Sequence, residues 1–600
     1  MKKLIVSNKK NLYIIMLFFI SFVIYGIISD FPKVLSGYPD ELRYVGIGRS
    51  LLKGQGLRLH EWDSDFQKIL YSICIMPALS IKSTAGQIRA VGYMNSFFIS
   101  SSIFPVFKLC QNILKEDKHI RLVILFWITF PAFVYTMYFM SEVIFVPLSL
   151  WIAYCVWCIF CADTFGRKLR LNFVLGILCY VTYLNKEVAL YYVIAYLLVY
   201  VCYFLVQHLE RKKETICLAV FLCTFIGCFW LLKGTLFHGL KNSYSNSNLQ
   251  VFHLALSAER LVYLFYGFVY NVLFAILAFG IFPVFIPMAS LQKQDRTSWF
   301  FLFLLVSFFI GCTTIAYMIT LPEDFGSKSP RQHIRYLEPL IIPFLIIMIK
   351  NGNAFLNNAE TEGVKKRTRI LVISVLVFAI LFIFMGAGGG SFLADNSTLL
   401  YYELFARFLC KSNVILMAFR VLIASMAAIG LFVFCKKRDT FLWLFCIIFV
   451  GLNIANCLAG GAAGHYRYGI IQKQREQASQ ANEYLHNLRG NILLISIEGT
   501  SPEDKRLFDT YMDCGIYVMD IDGPGTDVSL KDSIIDLASE SILCDISDEC
   551  YPDLQAVDYL IVMDDYNIRF MENSVDRIAD FPLEGYSLYK NKDTGKIYIL

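Results

Sequence analysis

The sequence predicts an α-helical polytopic membrane protein that carries a small α/β domain at its C-terminal end, and two observations support this. First, 57% of the 600 residues are hydrophobic and the mean hydropathy is +0.56, far more apolar than a soluble chain of this length. About thirteen apolar runs approach the ~20-residue length that crosses a bilayer. Second, residues 471–600 carry 11 basic and 25 acidic side chains, a net charge of −14, while residues 1–470 carry +20. An acidic soluble domain therefore follows a basic membrane body.

The N-terminus is predicted to be cytoplasmic. It is basic through residue 10 and leads into the apolar run 12–29, which is too long for a cleaved signal core and lacks a small-residue cleavage site. Six further basic clusters separate apolar runs, and the positive-inside rule places all of them on the cytoplasmic side of the plasma membrane. These clusters lie at residues 115–121, 167–170, 211–213, 293–296, 365–369 and 436–438.

Counting membrane crossings between these clusters assigns the outer turns. Two cytoplasmic clusters are separated by an even number of spans, so the intervening turn lies outside. Between residues 170 and 211 only Asn185, Lys186 and Glu187 interrupt the apolar sequence, so this tripeptide is predicted to be an outer turn after a short span over residues 171–184. By the same reasoning residues 140–142 and 322–335 are predicted to be outside.

The first outer loop is predicted to be long and structured, from residue 30 to about residue 87. The chain must cross the membrane an odd number of times between this outer loop and the cytoplasmic cluster at 115–121, and one full span over residues 88–113 meets this requirement. The weaker apolar run 69–81 contains Pro77 and ends at Lys82, so we expect an interfacial helix there. The loop also presents an acidic pair, Asp40 and Glu41.

The tail is predicted to be extracytoplasmic. The last span, residues 441–459, runs outward and ends in a glycine-rich and alanine-rich junction at 460–464 that we expect to be flexible. This divides the chain into a membrane domain, 1–465, and a tail domain, 466–600. The tail pattern predicts a helix at 474–488, strands at 492–497, 516–521 and 559–563, and a hairpin of strands 587–589 and 596–600 that turns through 591–595. This alternation is typical of a small α/β domain.

Charged residues of both signs gather on the predicted outer face. A single such residue is most often solvated or reaches to the interface, but a set on one face indicates a functional site. The acids are Asp40, Glu41, Glu142 and Glu187, and the basic side chains are Lys186, Arg331, His333 and Arg335.

The segment at residues 38–44, Tyr-Pro-Asp-Glu-Leu-Arg-Tyr, with Leu-Leu-Lys-Gly-Gln-Gly at 51–56, resembles the first outer loop of GT-C glycosyltransferases. It is similar to the Asp-Glu loop of protein O-mannosyltransferases and lipid A aminoarabinose transferases. Further matches follow in the order of that family over roughly the first 350 residues. They are Asn95 after Arg89, Ser141-Glu142, Asn185-Lys186-Glu187, and Arg335-Tyr336 with Pro339 and Pro343. A Pro-Pro pair that many relatives carry is replaced here by Gln67-Lys68-Ile69-Leu70-Tyr71.

The resemblance implies a GT-C-like fold and transfer of a sugar from a polyprenyl-phosphate carrier to an acceptor at the outer membrane face. An acceptor hydroxyl must lose a proton in this reaction, and Asp40 is our choice of general base. Glu41 would orient the acceptor, orient the loop or share a metal. The leaving lipid phosphate calls for cationic donors, and Arg335, His333, Lys186 and Arg331 are the candidates. Tyr44, Glu142, Glu187 and Tyr336 are expected to bind substrate or support the site.

The implied partners are the lipid-linked donor, the membrane lipid and an acceptor that is a protein, a lipid or a surface glycan, with no nucleic acid. Some relatives use a divalent cation near the acidic pair, but this sequence contains no ligand set specific enough to assign a metal residue.

Two other function classes compete. A transporter or flippase of lipid-linked sugars or of cell-envelope polysaccharide intermediates would place charges near the bilayer midplane and show an internal repeat. We find no repeat, and the charged residues gather at one face, with Arg420 the one charge clearly inside a predicted span. A sensor or scaffold would use the acidic tail and need only an anchor, for which about thirteen spans are excessive.

Overall fold

The structure is a computed structural model, and it describes the chain in segments. These are residues 2–30, 39–59, 62–63, 68–235, 258–292, 295–319, 334–356, 362–385, 413–496, 516–520, 542–545, 557–564, 570, 573–592 and 596–599. The chain divides into two compact units. The first comprises Met1–Gly26, Asn95–Thr136 and Ser141–Gly460, and the second comprises Ile27–Met94, Met137–Met140 and Gly461–Leu600.

Helices account for most of the described residues. In chain order the α-helices are α1 Lys2–Ser29, α2 Pro39–Leu52, α3 Ile69–Leu79, α4 Thr84–Ser100, α5 Ile103–Ile113, α6 Asp117–Ile128, α7 Glu142–Phe160, α8 Phe165–Asn185, α9 Leu190–Val206, α10 Arg211–Thr235, α11 Ala258–Ala278, α12 Phe282–Ala289, α13 Arg296–Ile319, α14 Ile341–Leu356, α15 Glu362–Met385, α16 Asn413–Lys436 and α17 Arg438–His486. Short 3₁₀ helices lie at Pro131–Met137, Glu187–Ala189, Ile334–Tyr336 and Glu338–Leu340.

The chain is a multi-pass membrane protein. Ten helical segments in the described part are long and apolar enough to cross a bilayer, and the count becomes eleven if the bent pair α11 and α12 is one span. The predicted span over 88–113 is two helices, α4 and α5, within one candidate segment, Ala85–Ile113. Helix α8 is 21 residues long but carries Arg167, Lys168 and Arg170 near its start, and α14 is only 16 residues long, so neither is among these segments. Counting both would bring the described part of the chain to the predicted number of about thirteen.

Helix α7 lies in the interior of the first unit. Buried residues make up 83% of it, whereas they make up only 17% of the apolar segment Met417–Lys436 of α16. Aromatic rings fill the space around α7, as where the Trp157 ring meets Phe300 edge to face at 5.6 Å. Because membrane helices gain little from hydrophobic burial against one another, such close packing supplies much of their association. Side chains on α7 are therefore held on a rigid element.

The connection between α11 and α12 is a sharp bend of 96°. Gly280 has φ of +87°, and a Cβ at this position would lie 2.5 Å from the Phe449 ring. Ile281 also has a positive φ, 67°, which is rare for a β-branched residue and costs about 1–3 kcal/mol. The glycine therefore permits both the backbone turn and the close approach of the aromatic side chain.

In the second unit, α2 packs against α3. Tyr44 is fully buried and its ring meets Tyr71 edge to face at 4.9 Å. A Cβ on Gly48 would lie 2.6 Å from Leu79 Cδ1 and 3.3 Å from the Ser72 carbonyl oxygen, so the two helices touch at this glycine. The predicted helix over 69–81 is confirmed as α3, and its place on the membrane surface stays a prediction.

The described strands are β1 Arg58–Leu59, β2 Trp62–Asp63, β3 Ile492–Ser496, β4 Ile516–Asp520, β5 Ile542–Asp545, β6 Tyr559–Met563, β7 Val575–Ile578, β8 Tyr586–Asn591 and β9 Lys596–Ile599. In the tail they form a five-stranded sheet in the order β4-β3-β6-β8-β7 and a two-stranded pair, β5 and β9. Strands β3, β4 and β6 are parallel, and β8 runs antiparallel to β6 and β7. The end of α17 covers this sheet through Ala478, Ala481 and Leu485. The predicted small α/β domain is confirmed.

The junction at 460–464 is helical, because α17 continues through it from Arg438 to His486, and its flexibility stays a prediction. Each glycine weakens a helix by about 1 kcal/mol, but a helix already formed on one side propagates without a new nucleus. The prediction of a hairpin is wrong. Strand β8 uses both hydrogen-bonding edges for β6 and β7, so β9 pairs with β5 instead. The domain boundary at residue 465 stays a prediction.

Candidate functional site

The turn at residues 185–187 is built by its own backbone and by one amide. Helix α8 ends at Asn185, the backbone of Lys186 is extended with φ of −156° and ψ of 120°, and a 3₁₀ helix begins at Glu187. Asn185 is fully buried and donates from Nδ2 to the Ser141 carbonyl oxygen at 2.8 Å. A turn therefore lies at the predicted residues and is held against the residue that precedes α7, while its place on the outer side of the membrane stays a prediction.

Three charged side chains meet beside this turn. Glu142 lies in the first turn of α7, where the helix dipole favours a carboxylate. Its Oε1 accepts a hydrogen bond from Lys186 Nζ and lies 3.4 Å from Arg335 Nε. The side chains of Glu142, Lys186 and Arg335 are only 1%, 3% and 8% exposed. One buried carboxylate thus holds two buried cations, and we call this set the ionic cluster.

Tyr336 and Tyr191 complete the surroundings of the ionic cluster. Lys186 Nζ lies 4.6 Å from the centroid of the Tyr336 ring, and Arg335 Cζ lies 5.0 Å from it. Both distances allow attraction between a cation and an aromatic face. Tyr191, which is buried on α9, donates its hydroxyl to the Tyr336 carbonyl oxygen at 3.0 Å. The backbone that carries Arg335 is thereby fixed to α9 without help from the ionic contacts.

An apolar cavity of about 810 Å³ lies in the same unit. Every side chain that lines it is apolar, and the lining comes mainly from α11, α12, α16 and α17, with Phe282, Ala427 and Phe445 among its members. Ile334 also lines the cavity, and the next residue along the chain is Arg335. A 3₁₀ helix, Ile334–Tyr336, therefore joins the cavity wall to the ionic cluster.

The acidic pair lies in the first turn of α2, in the second unit. Asp40 is half-buried. Glu41 is fully buried, and its Oε1 accepts a hydrogen bond from the Phe139 backbone N–H at 3.0 Å. A fully buried carboxylate that receives a backbone amide is suited to hold a loop in place. This contact favours, among the roles left open for Glu41, the orientation of the loop.

Of the predicted residues, the structure brings Glu142, Lys186, Arg335 and Tyr336 together. Glu187 is half-buried at the start of its 3₁₀ helix. Arg331 and His333 lie outside the described residues. Among the residues that are described, no group of three or more His, Cys, Asp and Glu could hold a metal ion. The sequence missed Tyr191, because one tyrosine in a tyrosine-rich apolar span looks like packing.

No protein-family model matches the chain, and no curated protein sequence does. Among solved structures, the chain is similar to ArnT from Cupriavidus metallidurans bound to undecaprenyl phosphate. The TM-score is 0.52 and the identity 13%, over 96% of this chain and 98% of that one. The same protein in the apo state aligns over 97% and 98% at 13% identity, with a TM-score of 0.49. The undecaprenyl-phosphate complex shows the fold, so the predicted GT-C-like architecture is confirmed over nearly the whole chain.

Proposed function

We propose that this protein is a membrane glycosyltransferase that moves a sugar from a polyprenyl-phosphate donor to an acceptor at the extracytoplasmic face. The observation that carries the proposal is the ionic cluster joined through Ile334 to an apolar cavity. A donor of this class has one anionic phosphate and one long hydrocarbon chain. Buried cations suit the phosphate and an apolar cavity suits the chain. The structural neighbour ArnT binds undecaprenyl phosphate, which supports the same carrier class here.

Most of the candidate residues have a task in the proposed reaction. The acceptor oxygen forms a bond to the anomeric carbon while the bond from that carbon to the phosphate oxygen breaks. The bonding pair leaves with the phosphate, and the acceptor proton passes to the Asp40 carboxylate. Lys186 and Arg335 stabilise the charge that develops on the phosphate, and Arg331 and His333 are further candidates for this role. Glu41 and Tyr44 hold α2, which carries Asp40.

The cavity would hold the prenyl chain, and one substitution tests this. Ala427 lines the cavity and is 4% exposed, while its neighbour Ala428 is exposed. We expect Ala427→Leu to raise the apparent KM for a full-length polyprenyl donor about tenfold. Each CH₂ kept out of an apolar site costs roughly 0.8 kcal/mol, and two are worth about tenfold. Ala428→Leu, the matched control, should leave KM unchanged.

Donors of different chain length separate a loss of chain binding in the cavity from a general loss of activity in the Ala427→Leu variant. A donor with a chain of two or three isoprene units reaches less of the cavity, so its KM should change much less in Ala427→Leu. Equal losses for long and short donors, or equal effects of the two leucine variants, would contradict a role of this cavity in chain binding.

The proposed orientation has the N-terminus in the cytoplasm and the tail outside. Asn487 is exposed near the end of α17, and Lys212 is exposed in a predicted cytoplasmic cluster. In a protein whose 18 native cysteines are replaced by serine, a cysteine at 487 should react in intact cells with a thiol reagent that does not cross membranes. A cysteine at 212 in the same background should react only after the cells are opened. The opposite pattern would invert the topology and remove the outer face from the proposal.

A further inference from the structure

The ionic cluster contains a carboxylate that a site built only to bind an anion would not need. Glu142 contacts both Lys186 and Arg335, and the three side chains are almost completely buried. The carboxylate balances one of the two cations before any ligand arrives, and it would repel a phosphate bound beside it.

We propose that Glu142 sets the charge of the donor site, so that it accepts a singly charged phosphodiester and disfavours a doubly charged phosphate monoester. The proposal rests on the function proposed above and deepens it. Glu142 is a specificity-determining residue that acts through Lys186 and Arg335, and it need not touch the sugar or the reacting atoms.

The chemistry of the reaction supplies the reason. In the donor, the phosphate links the prenyl chain to the sugar and carries one negative charge. When the bond from the anomeric carbon to the phosphate oxygen breaks, the phosphate keeps the electron pair and becomes a monoester. Phosphate monoesters have a second pKa of about 6 and carry a charge near −2 above pH 7. The Glu142 carboxylate therefore repels the product, which carries close to two negative charges, more strongly than the donor, which carries one.

Repulsion between like charges in a buried site is strong because little solvent screens it. The product lipid would therefore bind less tightly than the donor, and the carrier would leave after each transfer. Glutamine at residue 142 removes one negative charge beside Lys186 and Arg335, which favours the doubly charged product more than the donor. Such a site would retain the product and become strongly inhibited by it.

The alternative is that Glu142 only holds the two cations in place. Other contacts already fix the backbone on both sides. Asn185 Nδ2 binds the Ser141 carbonyl oxygen beside the Lys186 turn, and the Tyr191 hydroxyl binds the Tyr336 carbonyl oxygen next to Arg335. Neither contact uses the Glu142 carboxylate. A glutamine of nearly the same shape should therefore keep the geometry while removing the charge.

The test compares two lipids as competitors against the labelled donor, using purified full-length protein at pH 8. One lipid is polyprenyl phosphate, a monoester, and the other is its methyl ester, a diester. We expect the wild type to prefer the diester and Glu142→Gln to shift the ratio of the two inhibition constants at least tenfold toward the monoester. Glu142→Asp keeps the charge and should keep the wild-type ratio.

The assignment would be overturned if the ratio of the two inhibition constants stays within twofold of wild type in a folded Glu142→Gln protein. Replacing a residue with a merely structural role would weaken the binding of both lipids alike. Arg335→Gln provides a second measurement if Glu142→Gln does not fold. It removes one positive charge and should shift the ratio away from the monoester, and an unchanged ratio would again count against the proposal. Failure of the wild type to bind either lipid would overturn the proposed function itself.

Discussion

Replacing Asp40 by Asn is expected to reduce sugar transfer by about 10²–10⁴-fold, the usual contribution of a general base. Asparagine has almost the same shape, so α2 should keep its packing through Tyr44 and Gly48. The amide cannot accept the acceptor proton at neutral pH. The measurement is the initial rate of transfer by purified variant and wild type from the same lipid-linked donor, with expression and thermal stability compared in parallel.

Asp30→Asn is the matched control for this prediction. Asp30 is another carboxylate of the second unit, and it pairs with Arg89 at 3.0 Å in a contact that is largely exposed. An exposed ion pair contributes at most about 1 kcal/mol, so Asp30→Asn should retain most of the activity. Full turnover in Asp40→Asn would remove Asp40 from the role of base, and equal losses in both variants would point to charge or folding instead.

Replacing Arg335 by Ala should weaken the use of the donor more than that of the acceptor. A hydrogen bond to a charged group is worth about 1.5–3 kcal/mol, which predicts a rise of roughly 10- to 10²-fold in the apparent KM for the donor. The KM for the acceptor should change little. Steady-state kinetics with each substrate varied in turn separate the two effects.

Arg335→Lys is the informative comparison, because lysine keeps the charge but not the planar set of donors. We expect it to recover part of the affinity for the donor. Arg296→Ala serves as the control, since Arg296 forms a largely exposed pair with Asp163 at 2.9 Å. An unchanged KM for the donor in Arg335→Ala would contradict the phosphate-binding role.

Features set by local sequence could be predicted. The turn at Asn185–Lys186–Glu187 was evident because three polar residues interrupt a long apolar stretch, and the structure ends α8 at Asn185. The strand predictions at 492–497, 516–521 and 559–563 agree with β3, β4 and β6 within one residue. Alternation and charge are properties of neighbouring residues, so the sequence displays them directly.

Features that depend on contacts between distant residues could not be predicted from the sequence. The partner of β9 is β5, some 50 residues earlier, and no local pattern distinguishes this pairing from a hairpin with β8. The ionic cluster likewise joins α7, the turn after α8 and a 3₁₀ helix near residue 335. The charge of each member and its side of the membrane could be predicted. That Lys186 and Arg335 share the Glu142 carboxylate could not, because the sequence does not give the distances between these side chains.

The proposed reaction breaks the bond between a sugar and a polyprenyl phosphate. The most direct measurement uses purified protein in liposomes that contain the lipid-linked sugar pool and an acceptor extract from a strain lacking the protein. We predict that polyprenyl phosphate is released in equal amount to the sugar transferred, and that Asp40→Asn releases almost none. If the lipid-linked sugar crosses the bilayer chemically unchanged, the protein is a transporter and the proposal is contradicted.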